Sequence, residues 1–115
     1  MKKLLIVAIV SLSTFATSAI ADVKVGIILG FTGPIETLTP AMRDSAKLAF
    51  QEASDSGALL GGETVKVLIG DSTCVDSDAA VAAAEIIVND GASAIMGADC
   101  SGVTGAIATN VAVPN

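Results

Sequence analysis

The amino-acid sequence predicts an α/β fold, namely a three-layer, doubly wound parallel sheet. The first observation is that a short apolar run followed by a segment of helical period occurs three times in succession. The second is the composition, which is 52% hydrophobic but only 3% aromatic, as suits a parallel sheet covered by Ala-rich helices. Because parallel neighbours need right-handed crossovers, we predict the flavodoxin-like strand order 2-1-3 with helices on both faces.

Residues 1–21 have the pattern of a secretory signal peptide. Lys2 and Lys3 are followed by the apolar run Leu4–Val10 and by a small-residue tract that ends Ala19-Ile20-Ala21. The alternative is a membrane anchor, but the apolar run is too short to span about 30 Å of hydrocarbon. We therefore expect cleavage after Ala21 and export to the periplasm, an oxidising compartment.

The charge balance excludes several kinds of partner and chemistry. The formal net charge is −6, from six basic and twelve acidic residues. Two of the basic residues lie in the predicted signal peptide, so the mature chain has four against twelve and a net charge of −8. Such a surface repels nucleic acid and anionic lipid, and we expect neither as a partner. The sequence contains no His, so histidine-based acid–base catalysis is excluded within it.

The first predicted strand, Asp22–Gly30, is apolar on both faces, as a central parallel strand requires. The turn that follows, Gly30–Pro34, lacks the G-x-G-x-x-G spacing of a dinucleotide site. Thr32 and Gly33 are candidates to offer a hydroxyl and N–H groups to a ligand. The alternative is a tight turn with no further role.

The first predicted helix begins with Thr39 as N-cap and Pro40 in the first turn, and Gly57 ends it. Apolar residues at helical spacing predict which face is buried. That face consists of Met42, Ala46, Ala49, Phe50 and Ala53.

The second unit repeats this organisation. A strand is predicted over Glu63–Gly70, and a helix over Asp78–Asn89. Asp76 or Ser77 caps this helix, and Gly91 ends it.

The third unit is a strand, Ala94–Met96, followed by a helix over Val103–Val111. Three strands make an incomplete sheet with an unpaired edge, which is poorly stable alone. We therefore expect residues 22–115 to be an incomplete lobe of a longer protein.

Ser101 lies between the third strand and the third helix, at the carboxyl end of the strand, and is predicted to be the N-cap or the first residue of that helix. Ligands of open α/β sheets bind at that end. A hydroxyl and free backbone N–H groups at a helix start form a ready site for a carboxylate or another anion. The alternative is that Ser101 only caps its helix, since Ser is a favoured N-cap residue.

The two cysteines follow neighbouring strands and belong to the same end of the sheet. Cys74 follows the second strand and Cys100 the third, so a disulfide is the first interpretation in an exported protein. It would cross above the first strand, over Gly30–Gly33, and stabilise the fold by roughly 3–4 kcal/mol. The alternatives are a zinc site, for which two cysteines without His are a poor ligand set, and a redox pair, which lacks C-x-x-C spacing.

Several segments match the pattern of one family. They are Val23-Lys24-Val25-Gly26, the Gly30–Pro34 turn, Asp71–Cys74, Ala79–Val88, Asn89-Asp90-Gly91 and Ile95-Met96-Gly97. With the signal peptide and Cys100-Ser101, they resemble the N-terminal part of the leucine/isoleucine/valine-binding family. Its members are type I periplasmic binding proteins that supply amino acids to ABC transporters. The resemblance covers nearly all of residues 22–115, and it is specific at Cys74 and Cys100-Ser101.

The resemblance implies that residues 22–115 are part of the N-terminal lobe of a two-lobed protein. It implies that an amino acid of the branched-chain type binds between the lobes, that Ser101 holds its α-carboxylate, and that Cys74 and Cys100 form a disulfide. Thr32 and Leu38 are further candidate ligand residues, although several members place an aromatic residue where Leu38 stands. The implied protein is a monomer and not an enzyme. It uses no metal or cofactor, and its partner is a membrane permease.

Two other functions are compatible with the predicted fold. One is the ligand-sensing domain of a receptor, which a downstream transmembrane helix would indicate. The other is a secreted α/β hydrolase with Ser101 as nucleophile. The context Asp99-Cys100-Ser101-Gly102-Val103 lacks the G-x-S-x-G pattern of such enzymes.

Overall fold

The computed structural model describes residues 22–115, and the predicted signal peptide lies outside the described residues. Three strands alternate with three helices, as predicted. The strands are β1 (Val23–Leu29), β2 (Val65–Asp71) and β3 (Ala94–Gly97), and the helices are α1 (Thr39–Asp55), α2 (Ser77–Asn89) and α3 (Ser101–Ile107). A 3-10 turn over Leu59–Gly61 precedes β2, and a π-helical turn over Ala108–Ala112 continues α3. Within this part of the chain, no helix combines the length and the apolar character that crossing a membrane requires.

The sheet has the strand order β2-β1-β3 with both pairs parallel, which confirms the predicted flavodoxin-like order. Val23 of the central strand pairs with Val65 of β2, and Val25 pairs with Ala94 of β3. Because all three strands run the same way, the loops at their carboxyl ends lie along one edge of the sheet. We call this edge, formed by residues 30–38, 72–76 and 98–101, the carboxyl rim.

Helices cover both faces of β1, so the fold has the three predicted layers. Ile28 packs in a cluster with residues of α2 and α3. Ile27 points to the other face, because successive strand residues alternate, and both side chains are fully buried. On that second face Phe50 of α1 lines a groove with Val67, the register partner of Val25. The helix α1 therefore lies opposite α2 and α3.

The main core lies between the sheet and the helices α2 and α3. Its buried members are Ile28, Ala80, Ala84, Ile87, Val103, Ile107 and Val111. The helix α2 comes closest where the strands carry glycine. A Cβ on Gly26 would lie 2.5 Å from Cγ2 of Ile87, and a Cβ on Gly70 would lie 2.9 Å from its Cδ1. Burial of one Val or Ile side chain stabilises the folded state by about 1.5–3 kcal/mol. The core on this face is therefore the main source of hydrophobic stabilisation in the described residues.

The predicted buried face of α1 is wrong in part. Ala46, Phe50 and Ala53 are half-buried, but Ala49 is exposed and Met42 keeps 44% of its surface accessible. The helical period correctly located an apolar stripe. The apolar stripe is wider than the part of α1 that contacts β1 and β2, so residues at its margin stay exposed. The helical period does not indicate how wide the contact is.

The predicted starts and ends of α1 and α2 hold at three of four positions. Asp76 is the N-cap of α2, and its Oδ1 accepts hydrogen bonds from the N–H groups of Asp78 and Ala79, each at 3.0 Å. Gly57 and Gly91 follow α1 and α2 with left-handed φ of 66° and 91°, as predicted for helix ends. Side-chain and backbone signals at helix termini are local, which explains why they could be recognised.

Thr39 is not the N-cap that its sequence context predicts. Leu38 occupies the N-cap position and makes no side-chain cap, while Thr39 is the first helical residue and is fully buried. The Thr39 hydroxyl donates to the carbonyl oxygen of Gly30 at 3.0 Å. This tertiary hydrogen bond ties the start of α1 to the end of β1, and it replaces the expected local cap.

Candidate ligand-binding site

A disulfide joins the loop after β2 to the loop after β3. It links Cys74 and Cys100, whose Cα atoms are 5.2 Å apart across a separation of 26 residues. The bond passes over the end of β1, as predicted, since a Cβ on Gly30 would lie 3.3 Å from the Cys74 Cβ. Two loops of the carboxyl rim are therefore fixed against the central strand.

The loop after β2 contains two consecutive non-glycine residues with left-handed backbone, Thr73 at φ 56° and Cys74 at φ 70°. This conformation is unfavourable for a β-branched residue, and it persists only where the surroundings impose it. Gly33, at φ 94°, contacts this loop so closely that a Cβ would overlap the carbonyl oxygen of Thr73. The two loops are therefore in direct backbone contact at the rim.

The carboxylate of Asp71, the last residue of β2, is the main polar link between these loops. Its Oδ1 accepts hydrogen bonds from the N–H groups of Phe31 at 2.9 Å, Thr32 at 3.3 Å and Thr73 at 2.8 Å. Its Oδ2 accepts a hydrogen bond from the Thr32 hydroxyl at 2.7 Å. One side chain therefore holds the loop between β1 and α1 against the loop between β2 and α2.

These contacts keep Asp71 ionised. Its partial burial acts to raise the pKa of the carboxyl group, because burial disfavours the charged form. The hydrogen bonds from the Thr32 hydroxyl and from the three N–H groups outweigh burial, and the net effect lowers the pKa of Asp71 below its usual value. Asp71 is therefore negatively charged at neutral pH.

Asp99 makes a corresponding link from the loop after β3. Its Oδ2 accepts a hydrogen bond from the N–H of Gly30 at 2.9 Å, and its Oδ1 accepts one from the hydroxyl of buried Ser72 at 3.4 Å. Together with Asp71, it engages the N–H groups of the three consecutive residues 30–32. Two carboxylates thus fix the backbone directly after the central strand.

Ser101 is exposed on the carboxyl rim, beside the disulfide. It is the first residue of α3, with Cys100 at the N-cap position and no side-chain capping hydrogen bond. Of the two predicted positions, N-cap or first helical residue, the structure shows the second. The first N–H groups of a helix have no intrahelical acceptor, so Ser101 combines a hydroxyl with free backbone donors. The prediction that they bind a ligand carboxylate stays a prediction.

Thr32 and Leu38 lie on the loop between β1 and α1, at the same rim. Both hydrogen-bond donors of Thr32 point to Asp71, so the hydroxyl lone pairs are its remaining hydrogen-bonding capacity. Leu38 directly precedes α1 and exposes 62% of its surface. The structure connects Thr32 to Ser101 through Asp71 and the disulfide, and the ligand contacts of Thr32 and Leu38 stay predictions.

Asp71 and Asp99 were not among the predicted site residues. The one sequence feature that could have indicated them is their position, since Asp71 is the last residue of β2 and Asp99 lies two residues after β3. Acidic residues just after parallel strands face the same rim. The sequence alone does not indicate that these carboxylates accept hydrogen bonds from the N–H groups of another loop.

Two surface grooves within residues 22–115 lie away from the carboxyl rim. One, of about 500 Å³, runs between α1 and β2, and another, of about 330 Å³, follows the outer edge of β3. Among these residues, no three His, Cys, Asp or Glu side chains are grouped so that they could hold a metal ion. The carboxyl rim is thus an open surface that carries polar groups from three loops.

Comparison with known proteins identifies the family. The sequence profile of the family described as periplasmic binding protein matches residues 22–114. The chain is 32% identical over 101 residues to the Leu/Ile/Val-binding protein BraC3 of Rhizobium johnstonii, covering 88% of this chain and 27% of that protein. It is 34% identical over 98 residues to Leu/Ile/Val-binding protein homolog 1 of Brucella abortus, covering 85% and 26%.

A third relative is the leucine-specific-binding protein of Salmonella typhimurium, which is 31% identical over 102 residues, covering 89% of this chain and 27% of the relative. The chain therefore spans about a quarter of the length of the curated relatives it matches. Its parallel α/β sheet is consistent with part of a type I lobe. On the match over residues 22–114, the chain belongs to the periplasmic binding protein family.

Proposed function

We propose that residues 22–115 form part of the N-terminal lobe of a periplasmic protein that binds an amino acid of the branched-chain type. The ligand lies between this lobe and a second one and is delivered to the membrane permease of an ABC importer. Residues 1–21 direct export and are removed after Ala21. The role is binding without catalysis, by a monomer.

The observation that carries this proposal is the state of Ser101. Ser101 is the first helical residue of α3 and not its N-cap, and it is exposed. Its position is fixed by the neighbouring disulfide between Cys74 and Cys100. A zwitterionic amino acid must have its carboxylate paired when water is expelled from the site. The N–H groups and partial positive charge of a helix start provide that pairing without a cationic side chain.

The loop that follows β1 adds apolar surface to the same rim. Leu38 is exposed and Ile35 is half-exposed, and both lie on the loop that follows β1. These residues place apolar surface on the same rim as Ser101, and an amino acid with an aliphatic side chain needs both an apolar surface and a partner for its carboxylate. The relatives are named as binding proteins for Leu/Ile/Val or for leucine, which supports the same ligand class.

The test is calorimetric titration of the complete protein that contains this chain with leucine, isoleucine, valine and other amino acids, before and after Ser101→Ala. Loss of a hydrogen bond to a charged group costs about 1.5–3 kcal/mol, or roughly 10- to 150-fold in affinity. Ser77→Ala is the matched control, because Ser77 is the exposed first residue of α2. We expect the control to bind like the wild type.

Two results would contradict the proposal in different ways. Absence of binding to every amino acid in the panel would reject the ligand class. Equal affinities of the wild type, Ser101→Ala and Ser77→Ala for the bound amino acid would reduce Ser101 to a structural residue.

A further inference from the structure

The loop between β1 and α1 begins with three consecutive backbone donors at the carboxyl end of the central strand. They are the N–H groups of Gly30, Phe31 and Thr32, at the place where open α/β sheets bind their ligands. Successive N–H groups of this kind commonly form a concave site for an anion. In this chain Asp99 accepts from Gly30, and Asp71 accepts from Phe31 and Thr32.

We propose that Asp71 fills, from within the chain, the place at which this loop would otherwise bind an anionic group, and thereby excludes ligands with an acidic side chain. The inference rests on the proposed function, in which a ligand amino acid places its own carboxylate at Ser101. It adds Asp71 as a residue that determines selectivity, whereas the contact to the ligand carboxylate is made by Ser101.

The hydrogen bonds support this assignment. Asp71 accepts four of them, from Phe31, from both donors of Thr32 and from Thr73, at 2.7 to 3.3 Å. Without Asp71, the N–H groups of Thr32 and Thr73 and the Thr32 hydroxyl would be available to a carboxylate or phosphate oxygen, whereas the Phe31 N–H also donates to the carbonyl oxygen of Leu29 at 3.0 Å. With Asp71 in place, the N–H groups of residues 30–32 and the Thr32 hydroxyl are already engaged within the chain.

The charges of the rim act in the same direction. Asp71 and Asp99 contribute two carboxylates beside the loop, and Glu36 is exposed on the loop itself. The cation next to this loop, Arg43, lies 5.8 Å from the centroid of the Phe31 ring and is paired with Asp44 at 2.8 Å. A ligand carboxylate placed at the loop would therefore lose its hydrogen-bond donors and meet like charges.

Chemical rescue tests the first half of the inference without any amino acid. Asp71→Ala removes only the carboxylate group and leaves its N–H donors, and formate has the size of the missing group. We expect formate to raise the thermal midpoint of Asp71→Ala by several degrees relative to chloride at equal ionic strength. Asp55→Ala, which removes an exposed carboxylate at the end of α1, should show no such gain. Equal effects of formate on the wild type and both variants would overturn the inference.

Selectivity tests the second half and covers the case in which Asp71→Ala does not fold. Asp71→Asn keeps the shape and an acceptor oxygen but removes the charge. Relative to leucine, its affinity for glutamate should improve at least about tenfold over the wild type, whereas Asp55→Asn should leave the ratio unchanged. An unchanged ratio in Asp71→Asn, with leucine still bound, would overturn the selectivity role. Failure of the wild type to bind leucine or any other amino acid would instead reject the proposed function, and the formate result would stand independently.

Discussion

Removal of the disulfide should destabilise the described domain by a calculable amount. The bond between Cys74 and Cys100 closes a loop with a separation of 26 residues. The chain-entropy relation gives about 3.5 kcal/mol for a loop of this length. Domains of ordinary size are stable by only about 5–15 kcal/mol, so the double variant Cys74→Ala/Cys100→Ala should lose a large part of its stability. The left-handed backbone of Thr73 and Cys74 also loses one of the contacts that hold it.

The measurement is urea unfolding of the complete protein that contains this chain, as the wild type and as the double variant. A slope of about 1–3 kcal/mol per molar urea converts the loss into a shift of the midpoint by roughly 1–3 M. The wild type with a reductant should approach the double variant, and the double variant should not respond to the reductant. If the midpoints of the oxidised wild type and the double variant coincide, the disulfide does not constrain the fold as we describe.

Two further predictions concern the link between loops and the close packing of α2. Asp71→Asn should lower the free energy of unfolding at pH 7 by about 1–2 kcal/mol, a value discounted for partial exposure. Because the folded-state pKa of Asp71 lies below the unfolded value of about 3.9, the difference between wild type and variant should be complete above that value and vanish as the pH falls through the folded-state pKa. A difference of the same size at pH 7 and at about pH 2 would contradict this explanation. Gly26→Ala should cost about 1–3 kcal/mol in thermal or urea unfolding, because its Cβ would lie 2.5 Å from Cγ2 of Ile87. If Gly26→Ala is as stable as the wild type, α2 can shift to accommodate the added methyl group at little cost in free energy.

Much of the fold was predictable because its signals are local and periodic. The apolar runs predicted three strands with right-handed crossovers, and the structure confirms the order β2-β1-β3, which was chosen as the flavodoxin-like form of a doubly wound sheet. Asp76 and the glycines after α1 and α2 marked helix termini correctly. The placement of Cys74 and Cys100 at one rim followed from the strand order, and the structure confirms their disulfide.

The remaining features depend on tertiary contacts that a single sequence does not display. Thr39 has the local context of an N-cap, yet its hydroxyl is engaged by Gly30, nine residues earlier. Asp71 and Asp99 look like ordinary loop carboxylates, and only the folded arrangement brings them to the N–H groups after β1. The position of Ser101, Cys74 and Cys100 at one rim was predicted from the strand order, whereas the roles of Asp71 and Asp99 were found only in the structure. Ligand binding at this rim stays a prediction.

The most direct test of the central claim is a crystal structure of the complete protein with its bound amino acid. We predict that a carboxylate oxygen of the ligand lies about 3 Å from the Ser101 hydroxyl and from an N–H group of the first turn of α3, with the aliphatic side chain near Leu38. A ligand bound away from the carboxyl rim, or with its carboxylate turned away from Ser101, would contradict the proposed site.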